Sequence, residues 1–372
     1  MGNISTNNII YPSSNPQTEI SASIGINNSQ DIMVGANTVS SSFLGQGWYA
    51  TTDGGYNWYG SDSYPNNSTT LGDPVILSDL NNNFYDITIG YNGQSYQCQG
   101  NYKNSSYGIK VTKTTNMGAA WLPTVNADPT LYWGNDKPMG TIDNTPTSPY
   151  KGNIYLSWTK YGTCGEFISV VLSSSTDGGT NWSTSLKVLN NTTTAGQGTS
   201  VAAGPNGEVY VAWADYPNNN IPSVGMGFVK STDGGNTFTT FNGTAAFTYN
   251  GIRYSNSSET EFGGIRVNDF PCIAVDRSNG HYRGYIYAVV AANTGGGTMN
   301  SDIKFARSTD GGTTWQTGFT NNTGYVNLNR TNQQFFPWMS VDDVTGRISI
   351  TYYSQDTSGY AVDTYVAISD DG

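Results

Sequence analysis

The chain has 372 residues, with 16 Lys and Arg against 27 Asp and Glu, so its formal net charge is −11. Only 12% of the residues are charged, whereas 13% are aromatic and 45 are glycine, a composition that excludes an intrinsically disordered chain. The negative charge disfavours nucleic acid as a partner because it repels phosphate, and no apolar run reaches the roughly 18 residues of a membrane-spanning helix.

One eight-residue phrase returns along the chain. It reads Thr-Thr-Asp-Gly-Gly-Tyr-Asn-Trp at 51–58, recurs at 175–182, 231–238 and 308–315, and has a degenerate copy at 114–121 and a truncated copy at 369–372. The six copies are spaced by about 60 residues. Asp-Gly-Gly predicts a tight hairpin turn, because glycine adopts positive φ without strain and the carboxylate accepts backbone N–H groups of the turn.

Each phrase lies between two predicted strands, and a second recurrent pattern predicts two more strands before it. Four-stranded units repeated radially are the blades of a β-propeller. We therefore predict an all-β chain that forms a single six-bladed β-propeller over 1–372. In chain order, the predicted blades cover approximately 17–65, 71–126, 135–190, 196–245, 268–323 and 332–372.

The sixth repeat stops inside its turn, and a short apolar stretch at 8–11 precedes the first repeat. We predict that residues 8–11 supply the missing strand of the sixth blade and close the ring, which removes the open sheet edges. The alternative is that this strand inserts into a neighbouring molecule and mediates self-association.

The repeated phrase resembles the Asp-box, and over essentially its whole length the chain is similar to Asp-box (BNR-repeat) propellers of the sialidase-like superfamily. The resemblance implies a structural role, on the face away from an active site, for Asp53, Asp177, Asp233, Asp310, Trp58, Trp182 and Trp315. The same box occurs in sialidases, xyloglucanases, sorting receptors and non-catalytic surface proteins, so the fold does not settle the function.

A resemblance to sialidases implies three arginines that bind a substrate carboxylate, and the first of these arginines normally lies early in the chain. Here no arginine precedes Arg253, and lysine does not replace a bidentate guanidinium. Sialidase activity is therefore not expected, although another glycosidase activity stays open.

In such propellers the face opposite the boxes is built from the starts of the first strands of the blades. Four of these starts carry a carboxylate, namely Glu19, Asp73, Asp136 and Asp269. Three interpretations are open: the carboxylates cap their own loops, they form a glycan site or a Ca²⁺ site that uses Asp73, Asp136 and Asp269, or two of them catalyse glycoside hydrolysis. Aromatic residues near this face could bind a sugar or a protein partner; they are Tyr161, Trp213, Tyr216 and Tyr352.

Twelve Asn-x-Ser/Thr sequons, together with few lysines and many Asn, Thr, Ser and Tyr residues, suggest an extracellular or cell-surface glycoprotein. Cys98 and Cys164 fall in loops of adjacent repeats and are predicted to form a disulfide, whereas Cys272 is predicted to be a buried thiol. The favoured function is a secreted or cell-surface module that binds a glycan or a protein. The alternatives are a glycoside hydrolase with a carboxylate pair and a structural subunit of a surface assembly.

Overall fold

The computed structural model describes residues 10–370 apart from 41–42, 94–95, 99–100, 104–105, 129–133, 162–167, 190–193, 218–221, 254–261, 263, 296–299, 319–323, 329 and 356–360. By their internal packing the residues form two compact units. The first unit is Met1–Pro138 with Ser175–Thr184, and the second is Met139–Ser174 with Ser185–Gly372. One domain over 1–372 stays a prediction.

Two sheets lie in the first unit. The first sheet contains β1 (Gln17–Ile24), β2 (Ile32–Ser40), β3 (Phe43–Thr51) and β4 (Tyr59–Ser61), in that order. The second sheet starts with β5 (Thr70–Ser78) and β6 (Phe84–Tyr91); a separate hairpin of β7 (Tyr96–Cys98) and β8 (Asn101–Lys103) follows, and the sheet resumes with β9 (Tyr107–Thr114) and β10 (Val125–Asn126).

Four more sheets follow along the chain. The third contains β11 (Gly134–Ile142), β12 (Ile154–Tyr161), β13 (Ser169–Ser175) and β14 (Leu186–Lys187). The fourth contains β15 (Thr194–Ala203), β16 (Val209–Pro217), β17 (Gly225–Ser231) and β18 (Phe247–Thr248). The fifth contains β19 (Cys272–Val275), β20 (Ile286–Asn293) and β21 (Ser301–Ser308), and the sixth contains β22 (Gln334–Val341), β23 (Ile348–Gln355) and β24 (Val362–Ser369).

In all six sheets each strand pairs antiparallel with the next strand of the same sheet along the chain. The only helical element of the described residues is a single 3₁₀ turn at Pro65–Asn67. In this described part of the chain no helix has the length and apolar character needed to cross a membrane. The predicted fold class, all-β with six blades of a β-propeller, is confirmed.

The predicted closing strand at 8–11 lies partly outside the described residues, which begin at Ile10. Neither Ile10 nor Tyr11 is in a strand, and the ring of Tyr11 packs on Tyr49 of the first sheet, with 4.8 Å between the ring centroids. Ring closure by this segment therefore stays a prediction.

The repeated phrase forms the same hydrogen-bonded turn at each full copy. In the copy at 231–238, the Ser231 hydroxyl donates to Asp233 Oδ1 at 2.7 Å and accepts the N–H of Gly235 at 2.9 Å. Asp233 also accepts the Thr237 N–H at 2.9 Å and the Thr237 hydroxyl at 2.6 Å. Gly234 and Gly235 have φ of 71° and 84°, which explains the two glycines.

The same bonds recur around Asp53, Asp177 and Asp310, and in part around Asn116 of the degenerate copy. The bonds hold the carboxylates ionised: the Asn57 backbone N–H and its neighbours lower the pKa of Asp53 to about 2, and the Thr237 hydroxyl and N–H lower that of Asp233 to about 2. Trp58, Trp182 and Trp315 each donate from the indole to the carbonyl of the second glycine. The turn is therefore stabilised within its own eight residues.

The core of the second unit is built from large side chains on the middle strands of the sheets. Trp213 on β16 is completely buried and packs edge-on against Phe241, with 5.1 Å between the ring centroids. Gly227 lies directly opposite Trp213 in the β16–β17 register, and a Cβ added there would lie 2.1 Å from the indole. Glycine at 227 is therefore required by the close approach of the indole.

The last strand, β24, is exposed along its length. Tyr365, Val366 and Ile368 are 48–61% exposed, although Tyr365 stacks on Tyr352 of β23. Within the described residues β24 pairs only with β23. Its outer edge and its apolar side chains are therefore accessible in the described structure.

Candidate functional site

A bulge interrupts the first strand of the sheets near its start. In the first, second, fourth and sixth sheets the strand register shifts at this point. At the corresponding position of the first strand, five sheets have a residue with positive φ, and these residues are Glu19 (52°), Asp73 (59°), Lys137 (51°), Gly198 (62°) and Phe336 (51°). Positive φ is uncommon for residues other than glycine, and bulges of this kind re-aim side chains and cluster at functional sites.

Three of these residues, Glu19, Asp73 and Lys137, form a contiguous group in the first unit, which we call the bulge cluster. Lys137 Nζ lies 2.6 Å from Glu19 Oε2 and 3.6 Å from Asp73 Oδ1. The Lys137 backbone N–H donates to Asp73 Oδ2 at 3.1 Å, and the carboxyl groups of Glu19 and Asp73 are hydrogen-bonded to each other. The side chains of Glu19, Asp73 and Lys137 are 35%, 15% and 32% exposed, so the cluster is rigidly bonded but open to solvent.

Burial and the hydrogen bond to Glu19 raise the pKa of Asp73 to about 8, against the opposing charge of Lys137. Burial alone would lower the pKa of Lys137, but the charges of Asp73 and Glu19 raise it above its ordinary value. At neutral pH the cluster thus offers a neutral carboxylic acid, a carboxyl group beside it and an ammonium group. This combination supplies donors and acceptors to a polar ligand.

The spacing of the two carboxyl groups differs from that of glycosidase pairs. Retaining enzymes separate them by about 5–5.5 Å and inverting enzymes by about 6.5–9.5 Å, whereas Glu19 and Asp73 are directly hydrogen-bonded. The described residues also contain no group of three or more His, Cys, Asp or Glu that could hold a metal ion. The Ca²⁺ site considered for Asp73, Asp136 and Asp269 is thus not assembled among the described residues.

The other two predicted carboxylates differ in their surroundings. Asp136 is half-buried beside the cluster, and its charge contributes to the raised pKa of Asp73. Asp269 belongs to the second unit and is completely buried; it accepts hydrogen bonds from the Tyr216 hydroxyl at 2.5 Å and the Ser223 hydroxyl at 2.8 Å. Asp269 is therefore a buried structural acceptor, which corrects its proposed place among solvent-facing carboxylates.

The predicted aromatic platform is corrected in the same way. Trp213 and Tyr216 are 0% and 1% exposed, and Tyr352 is 8% exposed. Only Tyr161, at the end of β12, is half-buried. Because both faces of β16 are covered, the rings of Trp213 and Tyr216 belong to the core and do not face a ligand.

The cysteine predictions have separate outcomes. Cys272 is a buried free thiol, as predicted, and burial raises its pKa to about 12. Cys98 ends β7, but Cys164 lies outside the described residues. The disulfide between them stays a prediction.

Sequence reasoning missed Lys137 because the repeats were aligned on their carboxylates. The structure aligns them on the residue before a proline, which gives Asp73 before Pro74, Lys137 before Pro138 and Phe336 before Pro337. In the fourth sheet the bulged residue is Gly198, and the Phe270 ring occupies the space its Cβ would need. The recurrent proline is thus the sequence signal that locates the bulge.

Comparisons with known proteins identify the fold. No family model matches the chain, and no curated protein matches it. Among solved structures, an intramolecular trans-sialidase from Ruminococcus gnavus is 11% identical, with a TM-score of 0.56 over 97% of this chain and 96% of that one. An alpha-L-arabinanase from Penicillium chrysogenum is 12% identical, with a TM-score of 0.56 over 96% and 95%.

A Hadza microbial sialidase is 14% identical, with a TM-score of 0.58 over 94% of this chain and 65% of that one. The structural neighbours thus include sialidases and an arabinanase. At these identities the similarity establishes a shared fold alone, the six-bladed β-propeller.

Proposed function

We propose that the protein is a carbohydrate-binding propeller and that the bulge cluster is its binding site. The observation that supports this proposal is the convergence of Glu19, Asp73 and Lys137, each at positive φ, in one partly exposed group. A strained backbone conformation persists only where the surrounding structure stabilises it, and such residues cluster at functional sites. A neutral acid, a carboxylate and an ammonium group within hydrogen-bond reach suit the paired hydroxyl groups of a sugar.

The proposal is tested by binding of the full chain to an immobilised panel of neutral and acidic glycans. Glu19→Gln and Lys137→Met are each expected to weaken binding at least tenfold, because both remove a charge from the cluster. Glu208→Gln is the matched control, since Glu208 bonds to Asn206 in a turn of the second unit. The proposal fails if no glycan binds, or if the cluster variants bind like the control.

Glycoside hydrolysis is a second candidate, favoured by the pKa of about 8 of Asp73. A carboxyl group that keeps its proton at neutral pH can act as a general acid. Reducing-end release from the glycans that bind tests this candidate. Turnover that Asp73→Asn abolishes while binding persists would favour hydrolysis, whereas binding without turnover would leave the binding function alone.

The repeated turns are proposed to be Asp-boxes with a purely structural role. Asp53 and Asp233 use their carboxylates on their own turns, which leaves no chemistry for them to perform elsewhere. An extracellular location is likewise proposed, and it is supported by the twelve sequons. The asparagine is exposed in four of them, at Asn27, Asn66, Asn181 and Asn242.

Self-association is the structural alternative, favoured by the exposed edge of β24. If a second copy pairs with this edge, Val366→Lys and Ile368→Lys should convert the assembly to monomers, because a charged edge resists pairing. Val344→Lys is the control, since Val344 is 83% exposed in a turn. Light scattering of dilute wild-type protein decides the point, and a monomeric mass would reject this alternative.

A further inference from the structure

Five Asn-Gly pairs occur in the chain, with the asparagine at 92, 206, 242, 250 and 279, and all five lie among the described residues. In such a pair the backbone nitrogen of the glycine can attack the side-chain amide carbon of the asparagine, because glycine has no Cβ to obstruct the approach. Both reacting groups belong to one chain, so their placement decides how fast the attack occurs. The fold therefore selects among five pairs of identical chemistry.

The pair of Asn242 and Gly243 has an accessible nucleophile. Both residues are exposed in the segment between β17 and β18, and Gly243 has a φ of 86°. The Gly243 N–H has no hydrogen-bond partner in the part of the chain that the structure describes. No hydrogen bond of the fold therefore has to break before this nitrogen attacks.

The side-chain carbonyl of Asn242 is held and polarised by the same turn. Asn242 Oδ1 accepts the Thr244 N–H at 2.9 Å, the hydrogen bond of an Asx-turn. Attack on the amide carbon places negative charge on this oxygen, and a backbone N–H directed at such an oxygen stabilises that charge. The turn thus supplies both a free nucleophile and a donor for the developing oxyanion.

In three of the other pairs the glycine N–H is already used by the fold. Its acceptor is the Gly204 carbonyl at 3.4 Å for Gly207, the Ser223 carbonyl at 2.9 Å for Gly251 and the Ser278 hydroxyl at 3.0 Å for Gly280. Attack by any of these nitrogens costs the hydrogen bond first. We therefore expect these pairs to react more slowly than the pair at 242.

The fourth pair is restrained through its asparagine. Asn92 is half-buried, and its Oδ1 accepts a hydrogen bond from Lys110 Nζ of β9 at 2.9 Å. A Cβ added at Gly108, also on β9, would lie 2.7 Å from the Asn92 amide. These contacts hold the amide group against β9, so we expect its approach to the Gly93 nitrogen to be slow.

We propose that Asn242 is a site of spontaneous covalent modification by deamidation, the fastest of the five Asn-Gly pairs. The Gly243 nitrogen forms a bond to Asn242 Cγ, the bond from Cγ to Nδ2 breaks, and ammonia leaves with the proton of the Gly243 amide. Water then opens the resulting succinimide ring at either carbonyl, which gives aspartate or isoaspartate. Only water is consumed.

The modification would change the surface in two ways. Each event adds a negative charge next to Phe241, which is 7% exposed and packs on Trp213, and isoaspartate also lengthens the main chain at this point. Asn242 begins the sequon at 242–244, so loss of its amide nitrogen removes the acceptor of an N-linked glycan. Deamidation and glycosylation of this residue therefore exclude each other. The inference goes beyond glycan binding, since the bulge cluster takes no part in it.

Peptide mass spectrometry of the full chain, incubated at pH 8 and 37 °C, tests the proposal. Replacement of NH₂ by OH raises the mass of the peptide concerned, and all five pairs are measured in one sample. Asn242 is expected to react at least about tenfold faster than each of the other four. In guanidinium chloride the other four should accelerate to rates close to that of Asn242, because the unfolded chain no longer restrains them.

A variant links the site to the charge of the intact protein. Asn242→Gln should abolish most of the acidic forms that ion exchange separates after incubation, because glutamine would have to close a less favourable six-membered ring. Asn250→Gln is the matched control, at another exposed asparagine before glycine, and should leave the acidic forms unchanged. The proposal is overturned if another pair reacts as fast as Asn242 in the folded protein, if the same ranking persists after unfolding, or if Asn242→Gln retains the acidic forms.

Discussion

Replacing Trp213 by alanine is expected to lower the free energy of unfolding by about 3–5 kcal/mol, the usual cost of removing a large buried aromatic side chain. The indole is 0% exposed, packs on Phe241 and lies against Gly196 and Gly227. Urea denaturation followed by fluorescence measures the change. Trp213→Phe should cost less, because it keeps a ring and because the indole Nε1 has no hydrogen-bond partner to lose.

A double-mutant cycle with Gly227 tests the packing directly. Gly227→Ala should be strongly destabilising in the wild type, since the new Cβ would lie 2.1 Å from the indole, but much less so in the Trp213→Ala background. A coupling energy of about 0.5–3 kcal/mol is expected for residues in contact. Additive effects would contradict this packing, and a loss of glycan binding at unchanged stability would return Trp213 to a ligand-binding role.

The second large effect concerns Asp73 and pH. Its folded pKa of about 8 lies far above the unfolded value of roughly 4. Between these values the folded state holds a proton that the unfolded state has released, so the stabilising contribution is complete below pH 4 and is lost as pH rises toward 8. For one proton the slope is at most about 1.4 kcal/mol per pH unit.

Asp73→Asn is the matching variant, because asparagine cannot titrate. Relative to wild type it should become progressively more stable as the pH rises from 5 to 8 in urea denaturation, while Glu19, Asp136 and Lys137 still surround the position. Asp53→Asn is the control: the pKa of Asp53 is about 2, so its difference from wild type should stay constant over this range. A constant difference for Asp73→Asn as well would contradict the raised pKa of Asp73.

The six-bladed fold could be predicted from the sequence because its main signal is local. The bonds around Asp53 and Asp233 are made within eight residues, so the turn chemistry is visible in a single phrase. The spacing of the phrases then fixes the number of repeats, and the antiparallel sheets follow from the strands on either side.

The candidate site depends on longer-range relations that the phrase does not encode. Lys137 and Glu19 are 118 positions apart in the sequence, and a one-residue difference in the bulge register decides whether Lys137 or Asp136 takes that place. The sequence therefore predicts a group of carboxylates where the structure pairs Glu19 and Asp73 with the ammonium group of Lys137.

The aromatic residues were misassigned for a different physical reason. Strand residues alternate between two faces, so an aromatic residue near the end of a strand can be assigned to solvent when one face is open. Both faces of β16 are buried. Trp213 and Tyr216 lie on opposite faces of this strand, and both rings are in the core. Alternation alone cannot identify a strand that is covered on both sides.

The locally bonded turn also has a consequence for how such a chain changes in evolution. A segment of about 60 residues that contains one Asp-Gly-Gly phrase brings every partner of its turn with it when it is duplicated or exchanged. The side-chain hydrogen bonds of the turn at Asp310 are all made within its own phrase, so a duplicated repeat carries these bonds with it. The degenerate copy, with Asn116 in place of aspartate, shows that one such module tolerates sequence drift while its turn persists.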